Sequence, residues 1–166
     1  GMSLAEKLHE AGADLIVTDI HEAALEAASR QLDARICQPD EIFDQQFDIF
    51  APCALGGILN PANVARLSAR LVCGAANNQL ASDDIADALR ARDITYLPDY
   101  VVNAGGIISV ASEIHGRDDA WRRARLDGIA GRVAEMRNRA DTEDRSTTDV
   151  ADQMVHNMLR EASVSA

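Results

Sequence analysis

No apolar run in this chain approaches the roughly 20 residues that a bilayer-spanning helix needs, and no signal-peptide pattern opens it. Basic charge is scarce. Lys and Arg number 16 against 27 Asp and Glu, and the net charge of −11 argues against a nucleic-acid backbone or an anionic membrane surface as partner. Cysteine is scarce and unpaired: Cys37, Cys53 and Cys73 form no C-x-x-C step. Free thiols in a reducing cytoplasm fit that count better than a disulfide frame or a zinc site. His9, His21, His115 and His156 lack metal-ligand spacing, so no metal is expected. Internal repeats, low-complexity tracts and linkers are absent too. What remains is 166 residues, 47% hydrophobic and 26% charged, enough for one soluble domain with a substantial core.

Helix-period and strand-period segments alternate along the chain. "SLAEKLHEAGA" sets Leu4 and Leu8 on one helical face, with Gly12 as its stop. "DLIVTDI" reads as a buried strand and "EAALEAASRQL" as a helix. "ARICQ" and "FDIFAPCA" are the next strands, and Asn60–Pro61 starts a helix with proline at its first position. "LVCGAA", "DDIADALRARD" and "ITYLP" continue as strand, helix and strand. The alternation then gives way to helices over 104–115, 117–139 and about 147–162, the last capped by Ser146 with Asp149 three residues on. Repeated strand–helix units imply an α/β domain, a parallel sheet flanked by helices, with a helical C-terminal extension over about 117–166. The 117–139 helix carries Arg117, Arg122, Arg123, Arg125, Arg132, Arg137 and Arg139. The acidic balance of the whole favours a solvated or subunit-facing surface there, with Trp121 as a contact anchor.

A dinucleotide-binding unit begins strand, glycine-rich turn, helix, and ends its second strand on an acidic residue that bonds the adenosine ribose. Asp19, closing "VTD", stands where that acid belongs, but no strand precedes the first helix. Asp19 fits a helix cap as well as a ribose ligand. In the usual strand order, 3-2-1-4-5-6, the absent strand is the central one, and its loss would leave unpaired edges on both neighbours. The expectation is therefore a fragment or truncated reading of a longer protein, whose gap is closed by direct pairing, a partner chain or an unusual sheet.

Three further segments carry polar or glycine punctuation at strand ends: "APCALGGILN" (51–60), "GAANNQL" (74–80) and "PDYVVNAGGIISV" (98–110). In the last, Asn103 offers an amide that donates and accepts at once, at the strand's carboxyl end where open α/β sheets bind ligands. It also fits a plain helix N-cap. With Asp19, these motifs in this order resemble the C-terminal, NAD-binding half of the leucine/valine/phenylalanine dehydrogenases, relatives of glutamate dehydrogenase. The resemblance covers nearly the whole chain, residues 1–166.

That resemblance implies a Rossmann-like domain lacking its first strand and most of its glycine loop. It implies NAD as cofactor and reversible oxidative deamination of an L-amino acid to its 2-oxo acid and ammonia. It assigns Asp19, with Ile20 beside it, to the adenosine ribose. Cys53, Ala54 and Leu55 lie along the cofactor, mostly by backbone groups, although Cys53 fits a small buried apolar role equally. Ala75, Ala76 and Asn77 meet the nicotinamide end, and Asn103 the carboxamide or the substrate. Ile107 and Val110, three apart, line the substrate side-chain pocket with Asn103, and a β-branched Ile107 points to leucine or valine. The family's catalytic lysine, carboxylate-gripping lysine and catalytic aspartate belong to an N-terminal domain, so no residue of this chain is assigned a catalytic role. Lys7, the one lysine, falls on the helix after the glycine turn. Gly1 is either that turn's third glycine or a remnant of cloning. The expected assembly is a homo-oligomer. The competing expectation is a catalytically incompetent module that binds nucleotide weakly or only self-associates.

Overall fold

The computed structural model describes residues 1–164. Helix α1 (Met2–Glu10) leads through Gly12, at φ +85°, into strand β1 (Ile16–Val17). Helix α2 (Glu22–Leu32) and strand β2 (Arg35–Ile36) follow, and β1 pairs with β2 in parallel. A 3-10 segment, Pro39–Asp44, precedes strand β3 (Ile49–Phe50). Helix α3 (Pro61–Arg66), strand β4 (Leu71–Val72), helix α4 (Asp84–Arg90) and strand β5 (Thr95–Tyr96) complete the alternating part. Then come α5 (Asp99–Val102), α6 (Gly105–Ile114), α7 (Asp119–Glu143) and α8 (Thr147–Val164).

The period of two in a strand builds both faces of the β3-β4-β5 sheet. Phe50, Val72 and Tyr96 stand in one row, all buried, and point into a core with Leu59, Val64, Leu67, Ile85 and Leu89. Leu71, Cys73 and Leu97 turn the other way and meet Met136 and Ala140 of α7 and Val150 and Ala151 of α8. A helical layer thus covers each face, as a parallel sheet requires. Asn60 accepts the Asn63 amide at 3.0 Å and starts α3, and Ser146 accepts the Asp149 amide at 3.1 Å and starts α8. The Thr147 hydroxyl donates to the Tyr96 carbonyl, pinning that helix to the end of β5.

The α/β class, the parallel pairing and the helical C-terminal region are as the sequence implies. The strands fall into two sheets. Among the described residues no ladder joins β1 to β3, so a two-stranded and a three-stranded sheet stand side by side. The expected direct pairing of the two neighbouring strands is not present among the described residues. Gly1, the N-cap of α1, approaches the loop after β3 instead: a Cβ on Gly1 would lie 3.8 Å from that of Cys53.

Three local expectations need correction. The Pro39–Asp44 turn and α5 are additional elements, and α7 runs Asp119–Glu143 rather than 117–139. Asp118 sets the later start, its side chain accepting the Trp121 amide at 2.8 Å. Residues 165 and 166 of the expected extension lie outside the described residues. Among the described residues, no helix is long and apolar enough to cross a membrane.

Two glycines separate packing from propensity. A Cβ at Gly74 would come 2.1 Å from the Pro52 carbonyl oxygen, whereas one at Gly131, within α7, meets nothing within 4 Å. Gly131→Ala should therefore raise stability by about 0.5–1 kcal/mol. Gly74→Ala should lower it by about 3 kcal/mol or more, because backbone must move. Urea unfolding of both variants checks the pair, and equal effects would contradict it.

Candidate functional site

The three strands of the larger sheet end at one level. The Cys73 amide donates to the Phe50 carbonyl at 3.0 Å and the Leu97 amide to the Val72 carbonyl at 2.9 Å, after which the ladder stops. Loops 51–57, 73–78 and 97–103 leave from this rim, the carboxyl end of a parallel sheet, where such folds bind ligands.

Backbone contacts lock the first two loops together. The Ala76 amide donates to the Pro52 carbonyl at 2.9 Å, and the Gly57 amide to the Asn78 carbonyl at 2.7 Å. The approach is close enough that a Cβ on Gly56 would sit 2.8 Å from the Asn77 carbonyl oxygen. Only glycine fits there. Beneath them the buried Gln79 side chain donates to the carbonyls of Gly74 and Ala76, each at 2.9 Å.

Asn103 joins the third loop to the second. Its Nδ2 donates to the Ala75 carbonyl at 2.8 Å and to Asn77 Oδ1 at 2.7 Å. Both amide hydrogens are spent, so Asn103 presents an acceptor, Oδ1, rather than the donor–acceptor pair the sequence suggested. It does not end a strand: β5 stops at Tyr96, and Asn103 closes the single turn of α5. Nor is it the N-cap of α6, a place held by Ala104.

The remaining candidates fall around this bridge. Leu55 (77% exposed), Ile107 (67%) and Val110 (49%) leave apolar surface open at the rim, the last two on α6. Ala54 and Ala75 are exposed, Cys53 is half-buried, and Ala76 is buried within the loop. Asp19 and Ile20 (83% exposed) follow β1 in the smaller sheet, with no hydrogen bond to the Asn103 group. Asp19 Oδ1 accepts the amide of His21, the N-cap of α2, at 3.0 Å. Its other oxygen has no hydrogen-bond partner among the described residues. Asp19 is therefore not the cap of α2 itself: it orders the turn that leads into His21, and its side chain is exposed. Among the described residues, no group of His, Cys, Asp and Glu could hold a metal.

Sequence reasoning passed over Gln79, Tyr96 and Asp99. The Tyr96 hydroxyl donates to Asp99 Oδ1 at 3.0 Å, and Asp99 Oδ2 accepts the Asn78 amide at 2.7 Å. The one sequence signal was Pro98–Asp99, a pair that opens turns.

Comparison with known proteins places these loops in context. Residues 4–162 match the family model described as Glutamate/Leucine/Phenylalanine/Valine dehydrogenase. Leucine dehydrogenase of Bacillus subtilis (strain 168) is 43% identical over 131 residues, 79% of this chain and 36% of that protein. Leucine dehydrogenase of Geobacillus stearothermophilus is 36% identical over 94% of this chain and 42% of its own length. The crystal structure of L-tryptophan dehydrogenase from Nostoc punctiforme superposes with a TM-score of 0.94 at 35% identity, over 98% of this chain and 50% of that one. The chain thus spans half or less of the length of these relatives.

Burial, then the neighbouring Asp99 carboxylate, push the Tyr96 phenol well above its ordinary value near 10. A raised acid favours the folded state fully below the ordinary value, and that contribution fades as pH rises beyond it and the unfolded phenol ionises. Burial, then the hydrogen bond to Asp152, raise the Tyr100 phenol as well, so neither of the chain's two tyrosines should ionise near pH 10 in the native state. Absorbance at 295 nm against pH, followed beside circular dichroism, tests this. A phenol ionising near pH 10 with secondary structure intact would contradict it.

Proposed function

The chain belongs to the Glutamate/Leucine/Phenylalanine/Valine dehydrogenase family, and from that membership we propose that it is the cofactor-binding part of an NAD-dependent dehydrogenase of branched-chain L-amino acids. The observation that carries the reading is the Asn103 bridge to Ala75 and Asn77 at the carboxyl end of a parallel sheet. When bound, NAD supplies the hydride acceptor for oxidative deamination.

The chain's own residues bind and orient. The free oxygen of Asp19 accepts from ribose hydroxyls beside Ile20. Cys53, Ala54 and Leu55 line the middle of the cofactor, with the start of α1 alongside. Ala75 and Asn77 face the nicotinamide end, and Ala76, buried beneath, holds their turn. Asn103 Oδ1 accepts from a carboxamide or amino N–H. Ile107 and Val110 form one wall of the amino-acid pocket with Asn103. Lys7, on α1, is the only lysine, so no amine base stands on the rim. A homo-oligomer completes the proposal, with Val155, Met158 and Leu159 of α8 exposed for contact, and the free cysteines suit a cytoplasmic setting.

Two outcomes test this reading. The 166-residue chain alone should form no NADH from leucine and bind NAD with a Kd above about 1 μM, weakened a further tenfold or so by Asp19→Ser. Calorimetry and a 340 nm assay check both, and an Asp19→Ser variant binding as tightly as the parent would sink the ribose role. Substrate choice needs a complete enzyme, made by placing this chain behind the N-terminal region of the B. subtilis leucine dehydrogenase. That chimera should prefer leucine or valine, and Ile107→Gly should raise kcat/KM for phenylalanine relative to leucine, about tenfold. Comparable kcat/KM for leucine and phenylalanine before the substitution would overturn the pocket assignment.

A further inference from the structure

Asn78 holds a left-handed backbone at φ +51°, a conformation that Asn adopts more readily than most L residues and that a bond from another loop holds in place. What fixes it lies 21 residues away: Asp99 Oδ2 accepts the Asn78 amide at 2.7 Å, a short, charge-assisted bond. The same residue holds the other half of the site, for the Asp99 carbonyl accepts the Asn103 amide at 2.7 Å. Asn103 Nδ2 donates across to Asn77 Oδ1, also at 2.7 Å, and Asn77 is peptide-bonded to Asn78. The links form a closed ring, Asp99–Asn78–Asn77–Asn103 and back to Asp99.

Asp99 could have been merely the acidic residue that starts α5. Its partners say otherwise. The Val101 and Val102 amides of that turn donate to the Pro98 carbonyl, at 2.9 and 3.1 Å, leaving the carboxylate to reach across to another loop. Its second oxygen is held by the buried Tyr96 hydroxyl at 3.0 Å. That phenol stays protonated far above neutrality and keeps donating, so the carboxylate has one preferred orientation.

We propose that Asp99 is the positioning residue of the nicotinamide end: its carboxylate clasps the Asn77–Asn78 turn and so sets where Ala75, Asn77 and Asn103 face a ligand. The inference rests on the dinucleotide reading above. It assigns Asp99 no contact with the ligand and no share of the adenosine end, where Asp19 stands on the other sheet.

Paired titrations of the 166-residue chain test it, using NADH and ADP-ribose, which lacks the nicotinamide. Asp99→Ala should weaken NADH about tenfold or more while ADP-ribose stays within about twofold. Asp99→Asn keeps an acceptor for the Asn78 amide but loses its charge, and should restore NADH to within about threefold of the parent. Should Asp99→Ala fail to fold, that smaller selective loss in Asp99→Asn still carries the test. Equal weakening of both ligands, as a general loss of structure would produce, overturns the proposal, and so does unchanged NADH binding. A parent chain that binds neither ligand removes the dinucleotide reading and this inference with it. A parent that binds both, with no selective loss in the variants, removes this inference alone.

Discussion

The register that sets Phe50, Val72 and Tyr96 side by side is the constraint from which the rest follows. It aligns the ends of three strands, so three loops leave the sheet at one height and can touch. It also decides which residues face which helical layer, because a slip of one position would exchange the two faces. Phe50, Val72 and Tyr96 would then meet α7 and α8, and Leu71, Cys73 and Leu97 the Ile85–Leu89 core. The register is therefore held by hydrophobic packing on both faces, and the site above it inherits that rigidity.

The loops themselves are built from backbone and amides rather than charged side chains. Gly56 and Gly74 are required by contact, since a side chain at either would collide with the backbone of the neighbouring loop. Gln79, buried with two bonds to loop carbonyls, fills the space beneath. Its own Oε1 is buried without a hydrogen-bond partner, so the two donor bonds alone carry its hold on the loop. One oxygen of Asp19 and Oδ1 of Asn103 also lack a hydrogen-bond partner among the described residues, and Leu55, Ile107 and Val110 are exposed.

Much of this was legible in the sequence wherever the signal was local. The spans of α2 and α6 followed from helical spacing, and Asn60 and Ser146 announced the helices they cap. The motif segments fell on the strand-end loops. The single turn of α5 was not legible, because Tyr100, Val101 and Val102 have strand propensity. Pro98 cannot extend the ladder, and its carbonyl instead collects two amides into a turn. Nor could sequence show how Asn103 spends its hydrogens, since its partners lie 26 and 28 residues away. Asp99 was passed over for the same reason, its Asn78 partner lying 21 residues away, whereas Gln79 bonds carbonyls only three and five residues back and was hidden by its polar neighbours. Both are polar residues in polar company, whose importance comes from groups that folding brings to them.

The division of the sheet bears on how a ligand would bind. Asp19 lies on the two-stranded sheet and the Asn103 group on the three-stranded one, with no ladder between β1 and β3. Gly1, the N-cap of α1, approaches the loop that carries Cys53. A ligand engaging Asp19 at one end and Asn103 at the other would span that boundary and bind only the arrangement in which both ends fit. Selective binding to one arrangement stabilises it by RT ln(1 + [L]/Kd), about 2.7 kcal/mol at a hundredfold excess over Kd. In this chain that free energy would act across the junction β1 and β3 leave unbonded. On the proposed two-ended reading, what would hold the ligand in place would also hold the two sheets together.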